Sequence, residues 1–222
     1  MKISENIKAF TEAPAIRKVL EVLLPLGYSI ILVDDGSLDE TAQIASSFPI
    51  SIVRHAVNLG QGAALETGME AARLASADYV IHFDADGQHD ERDIVRLLKP
   101  LLEGSCDIVF GSRFMGYPQP GLSTFKRIIL QAGRRINYWL TGILLTDAHN
   151  GFRAMNRKAL DKIHFNQTGM AHATEILSCV RKNSLRYIEL PVHIRYTPYS
   201  KSKGQGILGS VDILFHLFLK KD

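Results

Sequence analysis

Residues 78–86 read DYVIHFDAD, a strand-like run from Tyr79 to Phe83 that ends in two carboxylates separated by a single alanine. β-Branched and aromatic residues favour a pleated, buried surface. A buried strand that ends in acids has a natural setting in an open α/β sheet, where ligands bind beyond the carboxyl ends of the strands.

The same cadence extends to both sides. YSIILVDDG (28–36) is a second strand closed by acids, followed by a helical run from Asp39 to about Ser47. ISIVRHAVN (50–58) precedes GQGAALETGMEAARLASA (60–77), whose Ala, Leu and Met content favours helix. ERDIVRLLKPLLEG (91–104) reads as a helix stopped near Gly104, and CDIVFGSRF (106–114) as a further strand. Strands alternating with helices predict an α/β fold with a mostly parallel central sheet flanked by helices.

At 222 residues the chain is long enough for one well-filled core, so a single domain over 1–222 is expected. A net charge of +3 from 26 basic and 23 acidic residues is too mild to mark a nucleic-acid binder. Cys106 and Cys179 form no CxxC or CxxH pair, which argues against structural zinc and disulfides and fits a reducing compartment. No segment reaches the about 18 apolar residues that a bilayer span requires.

Carboxylates gathered at one sheet edge repel one another unless something positive lies between them. Mg²⁺ or Mn²⁺ is the economical solution, because both accept oxygen ligands and bridge carboxylates to substrate phosphates. Side-chain direction repeats every two residues along an extended segment, so the Asp84–Asp86 spacing suits one ion. Each acidic segment alone also reads as a turn with helix-capping acids, and Asp39 reads better as a helix N-terminal residue than as a ligand. Their coincidence at two strand ends favours a ligand site.

VNLGQGAALETGM (57–69) is neither a G-x-G-x-x-G fingerprint nor a P-loop, which disfavours a dinucleotide oxidoreductase or an ATPase. Gly60, Gly62 and Ala63 permit close backbone approach to a phosphate or sugar, and tight helix packing explains them equally.

VDDGSLDET, NLGQGAALETGM, DADGQH, GSRF, NGFRAMNRKAL and ELPVHIRYTPYSKSKGQG, in this order over about residues 9–210, strongly resemble family 2 glycosyltransferases of the GT-A fold. Within that family the chain looks most like the dolichol-phosphate and polyprenyl-phosphate mannosyltransferases. The resemblance implies a nucleotide-sugar donor of the GDP-mannose or UDP-glucose type, with Asp35 on the nucleotide portion and Asp84, Asp86 and Gln88 holding the cation and diphosphate. It implies displacement at the anomeric carbon with inversion. The cation and basic groups would stabilise the charge growing on the departing diphosphate.

The same resemblance makes the acceptor a polyprenyl or dolichyl phosphate, already ionised near neutral pH and needing positioning rather than a base. Arg113, Arg127, Arg195 and Lys201 match basic positions of that branch. If the acceptor is instead a sugar or protein hydroxyl, Glu175 is the candidate base, although TEIL lacks the Glu-Asp pair common in such relatives. Asp147 matches the acid before GFR, where it would orient the sugar or an arginine or cap a turn. A sugar nucleotidyltransferase is disfavoured by the missing lysine-containing triphosphate loop, and a noncatalytic binding protein on the same fold by the intact acidic segments.

The two ends of the chain complete the expectations. Ala9, Phe10 and Glu12 match the family's base-receiving A-Y-N-E segment only in part, with Phe10 placed to stack on the base and Glu12 to cap a helix near Pro14. The strand before them holds Ser4, Glu5, Asn6 and Lys8, a polarity that suits an edge strand better than a central one. Residues 206–220 predict an amphipathic helix, with Leu208, Val211, Phe215 and Phe218 on one face. With the basic YSKSKG it suggests a cytoplasmic protein peripheral to a membrane surface or bound to a membrane-protein partner.

Overall fold

The computed structural model describes residues 1–116, 124–166, 172–196 and 199. Its core is a seven-stranded sheet in the order β3-β2-β1-β4-β6-β5-β7. The strands are β1 (Ile3–Ala9), β2 (Ser29–Asp34), β3 (Ser51–Arg54), β4 (Tyr79–Asp84), β5 (Ile108–Ser112), β6 (Arg153–Asn156) and β7 (Tyr187–Pro191). β1 to β4 are mutually parallel, β6 runs antiparallel between β4 and β5, and β7 pairs parallel with β5. The expected α/β architecture is present, with β6 as its one reversed strand.

Helices cover both faces. On one face lie α1 (Ala13–Leu23) and α4 (Ile94–Leu102). α1 buries Ile16, Val19, Leu20 and Leu23, and α4 buries Ile94, Leu97, Leu98 and Leu101. Both sets follow the i, i+3, i+4, i+7 spacing that puts apolar side chains on one stripe. Pro14 sits in the first turn of α1, where its missing N–H costs nothing. The other face carries α3 (Gln61–Leu74), α6 (Arg157–Lys162) and α7 (His172–Lys182), which pack Leu65, Met69, Leu160, Ile176 and Leu177 against Ile31, Val80, Ile108 and Met155. The short α2 (Thr41–Ser46) follows β2, and α5 (Thr124–Thr141) packs with α7. The predicted helix over 91–104 divides into a 3₁₀ turn, Glu91–Asp93, and α4. Asp90 opens that turn by accepting a hydrogen bond from Arg92 N at 3.0 Å.

β1 departs from the expectation drawn from its polarity. It is a central strand, hydrogen-bonded to β2 and β4, and Ser4, Glu5 and Asn6 are fully buried in it. Ile3, Ile7 and Ala9 supply the apolar face toward α1 and α4. On the opposite face Asn6 Nδ2 donates to the Leu65 carbonyl of α3 at 3.2 Å. Burial pushes the Glu5 carboxyl up to about 8, so it is held mostly neutral at pH 7. Lys8 is paired with Asp84, Nζ to Oδ1 at 3.2 Å. Polar groups are tolerated in the core when they are bonded, neutralised or paired, and β1 uses all three routes.

Among the described residues no helix is long and apolar enough to cross a membrane. The amphipathic helix expected over 206–220 lies outside the described residues.

Candidate active site

The carboxyl ends of β1, β2, β4 and β5 meet at one edge of the sheet and deliver Ala9, Asp34, Asp84 and Ser112 there. β4 stops at Asp84, and a turn with Gly87 at φ 74° carries Asp86 away from the strand. The two-residue period therefore does not align the two acids as expected. Asp86 Oδ1 accepts from Gln88 N at 2.9 Å, and Oδ2 accepts from Gln88 Nε2 at 2.6 Å. Burial, together with the neighbouring Asp84 charge, raises the Asp86 pKa above the usual carboxylate range.

Asp84 is differently placed. Burial opposes its ionisation, but Lys8 and His89 beside it outweigh burial and hold its carboxyl well below the usual range. A Cβ on Gly151, just before β6, would stand 2.7 Å from Asp84 Oδ2, so the chain passes that carboxylate only as glycine. His89 is chiefly a packing residue. Its ring stacks on Phe152 at 4.6 Å, and its Nδ1 accepts from Asp84 N at 3.2 Å.

Across the edge, Asp147 Oδ2 accepts from Arg113 N at 3.0 Å and Arg113 Nε at 2.6 Å. The acid before GFR thus orients an arginine. Thr146 and Asp147 are in turn fixed by Glu189 of β7, which accepts from both backbone N–H groups. Arg153 is 2% exposed, its Nε and one Nη donating to the Gly151 and Asn150 carbonyls. Burial lowers its pKa to about 10, and the Asp84 and Asp147 charges favour its charged form.

Asp35 ends the second acidic segment in a cradle of donors. His55 Nδ1 lies 2.7 Å from Oδ1, Leu59 N donates to Oδ1 at 2.9 Å, and Gly60 N donates to Oδ2 at 2.8 Å. Gly60 has φ 96° at the start of α3, so the close approach of this loop depends on the glycine and on Asp35 together. Ala9 is buried at the end of β1, and Phe10 beside it is 43% exposed. Glu12 occupies the N-cap position of α1 without capping it, because its Oε2 accepts instead from Tyr199 OH at 2.8 Å.

Arg195 N donates to the Gln88 carbonyl, and its guanidinium pairs with Asp90 at 2.8 Å and Glu91 at 3.0 Å. Arg127 falls in α5, and its side chain, like all of Lys201, lies outside the described residues. Glu175, in the first turn of α7, belongs to another neighbourhood. Its Oε1 accepts from Asn166 N and Nδ2, close to where Glu66 of α3 accepts from Phe165 N. The structure thus gathers Asp84, Asp86, Gln88 and Arg113 with Arg153 and Lys8. Lys8 escaped sequence reasoning because a strand lysine reads as a solvated one; its position two residues before Phe10, where the strand enters the site, was the available signal.

Among the described residues no group of three or more His, Cys, Asp or Glu side chains is arranged to hold a metal. The Asp86 carboxylate and the Gln88 amide oxygen still fit a hard cation, since Mg²⁺ typically takes one or two carboxylates and completes its shell with phosphates and water.

Residues 7–164 match the model of the family described as glycosyl transferase family 2. The chain belongs to that family. An uncharacterized protein of Methanocaldococcus jannaschii is 35% identical over 97% of this chain and 90% of its own length. The UDP-N-acetylglucosamine–dolichyl-phosphate N-acetylglucosaminyltransferase of Methanococcus voltae is 29% identical over 97% of this chain and 94% of its own. Glucosyl-3-phosphoglycerate synthase of Mycobacterium tuberculosis, solved with Mn²⁺, UDP and phosphoglyceric acid, superposes with a TM-score of 0.69 at 19% identity, covering 97% of this chain and 78% of that one.

These findings correct the expected reaction. The family 2 fold is present, but transfer of mannose to a polyprenyl or dolichyl phosphate is not retained. The similar solved structures hold UDP or UDP-glucose with phosphoglyceric acid. The physical reason lies in the basic residues read as a lipid-phosphate cradle. Arg195, one of them, is already engaged by Asp90 and Glu91.

Proposed function

We propose that this protein is a divalent-metal-dependent glycosyltransferase that moves a hexose from a UDP-sugar to a hydroxyl acceptor. The observation that carries the reading is the Asp86–Gln88 turn standing at the same sheet edge as the Asp147-held Arg113. The glucosyl-3-phosphoglycerate synthase structures, with UDP, UDP-glucose and Mn²⁺ or Mg²⁺ in place, support the donor and the metal class.

Asp86 and Gln88 would hold the cation, which when bound supplies charge to the departing diphosphate. Arg113, fixed at two points by one carboxylate, is preorganised to meet the same developing charge without reorganising. The exposed Phe10 ring offers a stacking face for the base at the mouth of β1. Asp35 acts by shape: it fixes the 55–60 loop, so Gly60 can bring its backbone close to the donor. A hydroxyl needs a proton acceptor as it attacks, and Glu175, bonded to Asn166 in another neighbourhood, is not placed to be it.

The test incubates the purified chain with Mn²⁺ and UDP-[¹⁴C]glucose in the presence of small hydroxy acids bearing phosphate, free sugars, or polyprenyl phosphate. Label in a water-soluble glycoside, lost in Asp86→Asn, is the expected result. Label passing into the lipid phase, or no UDP released with any acceptor, overturns the proposal.

A further inference from the structure

Lys8 and Asp84 are register partners on neighbouring parallel strands, with Nζ 3.2 Å from Oδ1 and side-chain exposures of 12% and 23%. The other carboxylate oxygen faces the Gly151 backbone, where a Cβ would be 2.7 Å away, and His89 Nε2 at 3.7 Å. Among the described residues Asp86 has no such cation: its hydrogen bonds come from the Gln88 backbone and amide, both neutral donors. The two acids of the DAD element are therefore unequal. One carries a cation tethered to the next strand, and the other does not.

We infer that Lys8 competes with the divalent metal for Asp84, so that the metal enters as a chelate of the donor diphosphate on Asp86 and Gln88 and not on the bare acidic pair. The inference rests on the metal-dependent reading above and deepens it. A cation bound to Asp84 Oδ1 would lie within about 4 Å of the ammonium, a distance at which like charges repel strongly even near a protein surface. Lys8 has little room to withdraw, because its backbone is a rung of the central strand and its side chain is largely covered. Asp84 is thereby spent on neutralising Lys8, and the coordination positions that it leaves fall to phosphate oxygens, the ligands that Mg²⁺ commonly takes from substrate.

The decisive measurement is Mn²⁺ binding followed by the electron paramagnetic resonance signal of the free ion, with and without UDP. The wild-type chain should bind Mn²⁺ at least about tenfold more tightly when UDP is present. Lys8→Met should bind Mn²⁺ without UDP about tenfold more tightly than wild type. That gain should vanish in Lys8→Met/Asp84→Asn, while Lys8→Arg keeps the wild-type affinity. Unchanged or weaker binding in Lys8→Met overturns the inference. Should that variant fail to fold, the wild type decides alone, since equal affinity with and without UDP overturns it as well. Mn²⁺ binding by no form of the protein, with or without UDP, overturns both this inference and the metal-dependent reading; UDP-dependent binding unaltered by Lys8→Met overturns this one only.

Discussion

The Asn6 side chain fills the space that a side chain on Gly68 would occupy: a Cβ built there would lie 2.0 Å from Asn6 Oδ1. Neither partner can shift cheaply, because Asn6 is a rung of the central strand and Gly68 lies within α3. Gly68→Ala should therefore destabilise the fold by about 2–3 kcal/mol, despite the intrinsic preference of alanine for helix. Denaturant midpoints give the cost, and Asn6→Ala in the same chain should recover part of it, a non-additivity expected of residues in contact.

Glu5 makes stability depend on pH in an unusual direction. Its folded pKa, about 8, lies above the ordinary 4.5, so the fold favours the protonated form. The stability that this form brings is complete below pH 4.5, falls as the pH rises toward 8, and is lost above that. Urea unfolding at several pH values should show a fall approaching about 1.4 kcal/mol per pH unit in this window relative to Glu5→Gln, which keeps the shape and cannot ionise. Equal slopes in the two chains would refute the assignment.

Asp35→Asn should loosen the 55–60 loop. An amide oxygen can still accept from Leu59 N, but the amide nitrogen would then face Gly60 N, donor against donor. A buried donor left unpaired costs about 1–3 kcal/mol. Steady-state kinetics should show KM for the UDP-sugar raised several-fold with a smaller change in kcat.

Arg113→Lys keeps the charge but cannot reproduce the contact made by Nε to Asp147. kcat should fall by about 100- to 1,000-fold, in line with loss of one preorganised donor. Asp147→Asn should lower kcat in the same direction by freeing the guanidinium, with the double variant no worse than the poorer single one.

The apolar strands and the acids at their ends were legible because burial on both faces leaves a hydrophobic run, unbroken in Ile30–Val33 and interrupted only by His82 in Val80–Phe83. β1 was obscured because Asn6 is accommodated by Leu65 and Gly68 and Lys8 by Asp84, partners distant in sequence, while burial keeps Glu5 neutral. No local pattern reveals such partners. The reversed β6 was hidden for a similar reason, since direction depends on pairing and not on composition. The Asp84, Asp86, Gln88 and Arg113 set was readable from strand-end position and family likeness. The engagement of Arg195 by Asp90 and Glu91 was not, because Arg195 N meets the Gln88 carbonyl only where two distant segments converge.

The position of β6 also governs how the chain matures during synthesis. β1 to β4 form a contiguous parallel block that is complete once residue 84 has emerged. β5 cannot join that block when it appears, since both of its neighbours, β6 and β7, come later in the chain. From Ile108 until Arg153 is translated, the outer edge of β4 and both edges of β5 stand open on the nascent polypeptide. Unpaired edges are templates for aggregation, so this interval is the vulnerable stage of its biogenesis. The strand that brings Gly151 and Arg153 to the catalytic edge is also the one whose arrival covers β4 and the inner edge of β5, leaving the outer edge of β5 to β7.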